Sequence, residues 1–224
     1  MIRAVLFDLD GTLADTAPDM ARTVNVMRER RALDPVALEL VRPHVSNGAR
    51  GMIGAAFGLK PEDAGFGAMR EEFLEIYAGM LCVESRLFPE MPELLEAIER
   101  HPLAWGVVTN KFERFARPVL AGLGLGERAA VIVGGDTCER AKPFPDPLLH
   151  AARELALAPS TVLYVGDDVR DVQAARAAGM PVLAAGYGYL GNGPGPHSWG
   201  ADAVVDSPAG IARFAGLQGF SVGG

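Results

Sequence analysis

The sequence predicts an α/β protein: a parallel sheet with helices on both faces, interrupted after its first strand by an all-helical segment. Three observations carry this expectation. Ala4 to Phe7 is a short unbroken apolar run, the pattern of a strand buried on both faces. Residues 16 to about 85 place apolar side chains at helical spacing and show no strand pattern. From Pro89 onward helix-like and strand-like segments alternate, as parallel strands joined by crossover helices require. The expected division is a core of residues 1–15 and 86–224 with an inserted helical domain of residues 16–85.

Each element has its own signal. Pro18 opens a helix to about Arg31, with Met20, Val24 and Met27 on one face. A second helical stretch follows Pro35. Ser46-Asn47-Gly48 reads as a turn feeding a helix through Met52, Ile53 and Phe57. Met69, Phe73, Ile76 and Met80 predict a helix from Pro61 to Leu81. In the second half, helices near 93–100, 112–122, 147–157 and 171–178 alternate with strands at 105–108, 130–133, 162–165 and 181–185. Val204-Val205 reads as a last short strand. Residues 186–200, rich in Gly and Pro, read as a surface loop, and only the closing Gly223-Gly224 is of low complexity.

Composition narrows the function. A chain of 224 residues that is 49% hydrophobic can bury a substantial core. A formal net charge of −7 argues against a general nucleic-acid binder, whose surface would be basic. Cys82 and Cys138 lack metal or redox spacing, as do His44, His101, His150 and His197. Asp8 and Asp10 interrupt the N-terminal apolar run, so no secretory signal is expected there. No apolar stretch is long enough for a membrane span. The expectation is a soluble cytoplasmic protein that takes no nucleic acid and no membrane as partner; oligomeric state stays open. Arginine supplies most of the positive charge, and the only lysines are Lys60, Lys111 and Lys142. A compact ammonium on a flexible stem is therefore placed sparingly.

The most specific segment is Asp8-Leu9-Asp10-Gly11-Thr12-Leu13-Ala14-Asp15. Residues i and i+2 of a strand point the same way, so Asp8 and Asp10 leave the first strand aimed at one spot. Two such carboxylates repel unless a cation lies between them or one takes a proton. Hard carboxylate oxygens suit Mg²⁺. The pattern Asp-x-Asp-Gly-Thr-Leu-x-Asp resembles the first motif of the haloacid dehalogenase superfamily, phosphatase branch. The resemblance extends to Val107-Val108-Thr109-Asn110-Lys111, to Lys142-Pro143, and to Gly166-Asp167-Asp168-Val169-Arg170-Asp171.

That resemblance implies a Rossmann-like core, a helical cap inserted after the first motif, and ligands at the carboxyl ends of the strands. It implies that Asp8 attacks the phosphorus of a small phosphate monoester and becomes an aspartyl phosphate, with Asp10 as general acid and base. It further implies that Thr109 donates to phosphate oxygens and that Lys142 binds phosphate and nucleophile together. Mg²⁺ would be held by Asp8, the Asp10 main-chain carbonyl and Asp167, with Asp171 behind them. Asp168 is expected to cap the following helix. Asn110 and Lys111 continue into the same mouth as candidate substrate contacts.

The cap turn His44-Val45-Ser46-Asn47-Gly48-Ala49-Arg50 resembles that of phosphoglycolate phosphatases. Ser46, Asn47, Gly48 and Arg50 are thus candidate substrate contacts, Arg50 through a forked pair with a carboxylate. Val41-Arg42-Pro43-His44-Val45-Ser46, Trp105-Gly106-Val107-Val108-Thr109-Asn110-Lys111 and Ser198-Trp199-Gly200-Ala201-Asp202 are more similar still to bacterial N-acetylmuramic acid 6-phosphate phosphatases of cell-wall recycling. Rival expectations are phosphoglycolate hydrolysis, phosphosugar mutation and a catalytically idle binding protein. Dehalogenation is disfavoured by Asp10, and phosphonate hydrolysis by the lack of any cap lysine but Lys60.

Overall fold

The structure, a computed structural model, describes residues 1–217 and 220; the closing Gly223-Gly224 lies outside them. The chain begins with β1 (Ala4–Phe7), passes through the two-residue strand β2 (Ala14–Asp15), and enters the helices α1 (Ala17–Glu29), α2 (Leu38–Val41), α3 (Gly48–Phe57) and α4 (Phe66–Ala78). The return strand β3 (Arg86–Leu87) leads into α5 (Met91–Arg100), β4 (Ala104–Val108), α6 (Glu113–Gly122) and β5 (Val131–Val133). Then follow α7 (Asp146–Glu154), β6 (Val162–Gly166), α8 (Val169–Ala178), β7 (Val182–Ala185), β8 (Ala203–Val205) and α9 (Pro208–Ala215).

Six strands form one sheet in the order β5-β4-β1-β6-β7-β8, and every pairing is parallel. β1, β6 and β7 are wholly buried, which is why they read as unbroken apolar runs. From β1 the chain moves to one side of the sheet, and from β6 to the other. The crevice at the carboxyl ends of these two neighbours is therefore the point where strand order reverses.

β2 and β3 pair antiparallel, Ala14 with Leu87 and Asp15 with Arg86, where the chain leaves for the helices and comes back. Two residues are too few to show a period of two, so the sequence did not reveal them. Buried Asp19 on α1 reinforces this junction. Its carboxylate accepts the backbone N–H groups of Val83 (3.1 Å), Glu84 (2.8 Å) and Ser85 (3.0 Å) and the Ser85 hydroxyl (2.6 Å).

Four expectations need correction. The helix after Pro35 is a single turn, continued by a 3₁₀ turn over Arg42–Asn47. The helix expected from Pro61 begins at Phe66, because Gly65 at φ +86° redirects the chain. α9 was not foreseen; its Ile211 and Ala212 are buried, and it packs on α5. The segment 186–200 is not all surface loop, since Tyr189 is buried and its hydroxyl accepts the Thr16 and Ala17 N–H groups at the start of α1 (2.8 and 2.9 Å).

Candidate active site

Asp8 follows β1 and Asp167 follows β6, so the two neighbouring strands deliver both carboxylates to the reversal crevice. The backbone closes tightly on Asp167 from two sides. A Cβ on Gly11, which sits at φ +88°, would lie 2.1 Å from an Asp167 carboxylate oxygen, and one on Gly188 would lie 2.3 Å from the Asp167 Cβ. Only glycine permits either approach. Asp167 accepts the Thr12 hydroxyl (3.0 Å) and the Tyr189 N–H (2.9 Å). One oxygen from each of Asp8, Asp167 and Asp171 lies within 4.8 Å of the others.

Lys142 reaches this cluster from the loop after β5. Its buried Nζ lies 3.0 Å from Asp8 Oδ1 and 2.7 Å from Asp171 Oδ1. It also donates to the Val108 carbonyl (3.0 Å) and Tyr164 Oη (2.8 Å). Burial works against the ammonium charge, but Asp171 and Asp8 outweigh it and hold the Lys142 pKa above its usual value. Burial likewise pushes Asp8 up to about 6; Lys142 opposes the rise, while Asp171 and Asp10 add to it. Desolvation and the charges of Asp8 and Asp171 drive Asp167 well above the carboxylate range. Three crowded carboxylates against one ammonium make a buried site short of positive charge. Its hard oxygen donors suit a divalent cation of the Mg²⁺ kind.

Asp10 stands apart from that cluster. Its Oδ2 is 2.9 Å from Lys111 Nζ, and its Oδ1 accepts the Thr16 hydroxyl. Burial opposes the Lys111 charge, but Asp10 and Tyr77 outweigh it, and the pKa stands above the ordinary lysine value. Lys111 Nζ also lies 4.9 Å from the centroid of the Tyr77 ring. A cleft of about 240 Å³ opens from Asp8 and Asp10 toward the helical segment.

A haloacid dehalogenase-like hydrolase profile matches residues 5–185. The chain belongs to that family. Among relatives of this hydrolase, the N-acetylmuramic acid 6-phosphate phosphatase of Pseudomonas putida is 49% identical over 207 residues, covering 92% of this chain and 93% of its own. The phosphoglycolate phosphatase of Xanthomonas campestris pv. campestris is 47% identical over 206 residues, with 92% and 93% covered. The crystal structure of a predicted phosphoglycolate phosphatase from Haemophilus somnus matches the fold with a TM-score of 0.83 at 30% identity, over 95% of this chain and 97% of that one.

Other residues singled out from the sequence of this hydrolase take varied places. Thr109 is buried in the cleft wall, and its hydroxyl accepts the Lys111 N–H (3.2 Å). Asn110 lines the cleft, but its amide is engaged with the Lys142 main chain, donating to the carbonyl (2.9 Å) and accepting the N–H (3.0 Å). It thereby holds Lys142 in place, a task that was not foreseen. Lys111 faces Asp10, where a substrate contact alone was expected. Asp168 caps α8 through Arg170 N (2.9 Å), and Asp171 returns the bond by accepting Asp168 N (3.1 Å). Asp171 thus spends one oxygen on Lys142 and the other on the cap. Ser46, Asn47, Gly48 and Arg50 all line the cleft, with the Ser46 hydroxyl 3.5 Å from Asp167.

Sequence reasoning missed Tyr164, Tyr189, Arg170, Arg70 and Tyr77. Arg170 forks onto Asp168 (2.8 and 2.9 Å) and also donates to the Ser46 carbonyl (2.8 Å), bridging α8 to the helical segment. Tyr164 and Tyr189 carried no signal, one being an ordinary strand residue and the other lying in a Gly-rich loop. Arg70 and Tyr77 could have been found from the α4 periodicity, because they flank Phe73 on the same helical face.

Proposed function

We propose that this hydrolase cleaves N-acetylmuramic acid 6-phosphate to N-acetylmuramic acid and inorganic phosphate. It is a phosphoric monoester hydrolase. The observation that carries the phosphoryl chemistry is the Lys142 ammonium held between Asp8 and Asp171 at the mouth of β1 and β6, next to Asp167, and the likeness to relatives named for this sugar phosphate supports the substrate. In this reading residues 1–15 and 86–224 are the catalytic core, residues 16–85 are the cap, and the protein works in the cytoplasm.

Asp8 is the nucleophile. One of its oxygens attacks phosphorus in line, the ester P–O bond breaks, and an aspartyl phosphate forms on Asp8. Asp10 gives its proton to the departing alkoxide, then takes one from the water that attacks phosphorus and frees Asp8. Lys142 holds Asp8 beside the anionic phosphoryl group, and the Thr109 hydroxyl donates to a phosphoryl oxygen. Asp8, the Asp10 main-chain carbonyl and Asp167 are the residues to hold Mg²⁺, which when bound shields nucleophile from phosphate and stabilises charge on the transferring group.

Relatives named for each substrate support the two readings that compete here, with 49% identity for the sugar phosphate and 47% for phosphoglycolate. Both substrates carry a carboxylate, which suits an arginine in the cap. The test is kcat/KM for the two compounds with phosphate release followed directly. The sugar phosphate should lead by at least about tenfold. A lead for phosphoglycolate would reverse the assignment, and an isomerised phosphosugar without phosphate release would make the protein a mutase.

A further inference from the structure

α4 turns one face to the cleft. Arg70, Phe73, Leu74 and Tyr77 follow the spacing i, i+3, i+4, i+7, and all four line it. Two of them have polar groups with hydrogen-bonding capacity left over. Tyr77 is 2% exposed, and its hydroxyl makes no hydrogen bond of good geometry among the described residues; the Lys111 ammonium beside it is its one polar neighbour and is itself committed to Asp10. The ring itself is well held, stacked on Phe73 (5.9 Å between centroids) and edge-on to Phe115 (5.7 Å). A rigid ring with a buried hydroxyl so poorly paired is an uncommon and costly arrangement in a native protein unless something else pairs with it. Arg70 is exposed on the same face and forms no ion pair among the described residues.

Their positions differ in depth. Tyr77 is beside Lys111 and Asp10, where the ester oxygen departs in the reading above. Arg70 is seven residues back, about 10 Å along the helix axis at 1.5 Å per residue. Between them stand the apolar side chains of Phe73 and Leu74.

We propose that this face of α4 reads the leaving group: the Tyr77 hydroxyl hydrogen-bonds a polar group of the sugar near the ester oxygen, and Arg70 pairs with a carboxylate at its far end. The proposal rests on the phosphatase reading and deepens it. A two-carbon acid is too short to occupy both groups from the phosphate position, whereas an amino sugar bearing a lactyl ether carries its carboxylate well away from the ester. The apolar stretch between the two polar groups matches the sugar ring face and the lactyl methyl.

The experiment measures kcat and KM for wild type, Tyr77→Phe and Arg70→Gln on N-acetylmuramic acid 6-phosphate and on N-acetylglucosamine 6-phosphate, which lacks the lactyl carboxylate. Tyr77→Phe keeps the ring and its packing. It should raise KM on both sugars by about 5- to 30-fold with kcat little changed, the signature of lost ground-state binding. Arg70→Gln should raise KM for the muramic compound about tenfold or more and leave the glucosamine compound unaltered. Variants that keep the wild-type KM values on both sugars overturn the proposal while the phosphatase reading stands. A wild type that releases phosphate from neither sugar ends both this proposal and the assignment of the sugar phosphate as substrate.

Discussion

Lys142 has a side chain only 3% exposed and pairs with two carboxylates, Asp171 almost out of water and Asp8 mostly so. Its removal leaves Asp8 and Asp171 facing each other uncompensated. Breaking a buried pair in this way costs roughly 3–5 kcal/mol, so Lys142→Met should lose about that much by urea unfolding. It should also lose about 10²- to 10³-fold in kcat, because charge on the transferring group goes unscreened. Asp8 gives a second residue-scale prediction, with a definite sign. Its native pKa near 6 lies above the ordinary 3.8. Between those values the native state keeps a proton that the unfolded chain has released, so without divalent cations Asp8 makes stability fall as pH rises through that window. Asp8→Asn cannot ionise. It should abolish turnover, yet gain stability relative to wild type as pH climbs from about 4 to about 7 in chelator. A constant difference in urea midpoint across that range would count against the crowded-carboxylate picture.

Among the elements, α1 depends on a carboxylate that does no chemistry. Asp19 satisfies three backbone N–H groups at residues 83–85, at the exit from the helical segment. Asp19→Ala would strand the buried Ser85 N–H and hydroxyl, at about 1–3 kcal/mol for each orphaned group before relaxation, while the N–H groups of the exposed Val83 and Glu84 can turn to water. The expected loss is about 2 kcal/mol or more by urea unfolding; a variant within about 0.5 kcal/mol of wild type would show that water replaces the carboxylate. The capping box of α8 should be worth less, about 1 kcal/mol for Asp168→Ala by the same measurement. Asp168 was legible in the sequence because capping is local chemistry. Asp19 was not, because its partners lie more than sixty positions away and nothing in the α1 sequence marks them.

For the whole molecule, the Mg²⁺ site proposed at the acidic cluster would tie stability to the cation. A ligand that binds only the native state at about 100 times its Kd adds about 2.7 kcal/mol. For a chain of this size that corresponds to a rise in Tm of roughly 5–10 °C, at 2–4 °C per kcal/mol. Calorimetry with Mg²⁺ against chelator should show this rise in wild type and little of it in Asp167→Asn, and chelator should stop phosphate release. Equal melting temperatures with and without Mg²⁺ would remove the cation from the cluster.

Local patterns determined the sheet and the helical run after β1, because buried parallel strands need unbroken apolar runs; the four acidic residues were marked by those patterns together with the family resemblance, Asp8 and Asp167 sitting just past strand ends and Asp171 in the first turn of α8. Where a side chain points after its strand ends was beyond their reach. The pairing of Lys111 with Asp10, the Asn110 amide turned onto Lys142 and the Tyr189 hydroxyl under α1 all join residues distant along the chain. Such contacts are set by how the helical segment and the last strands pack around the crevice, and packing has no period that a sequence can display.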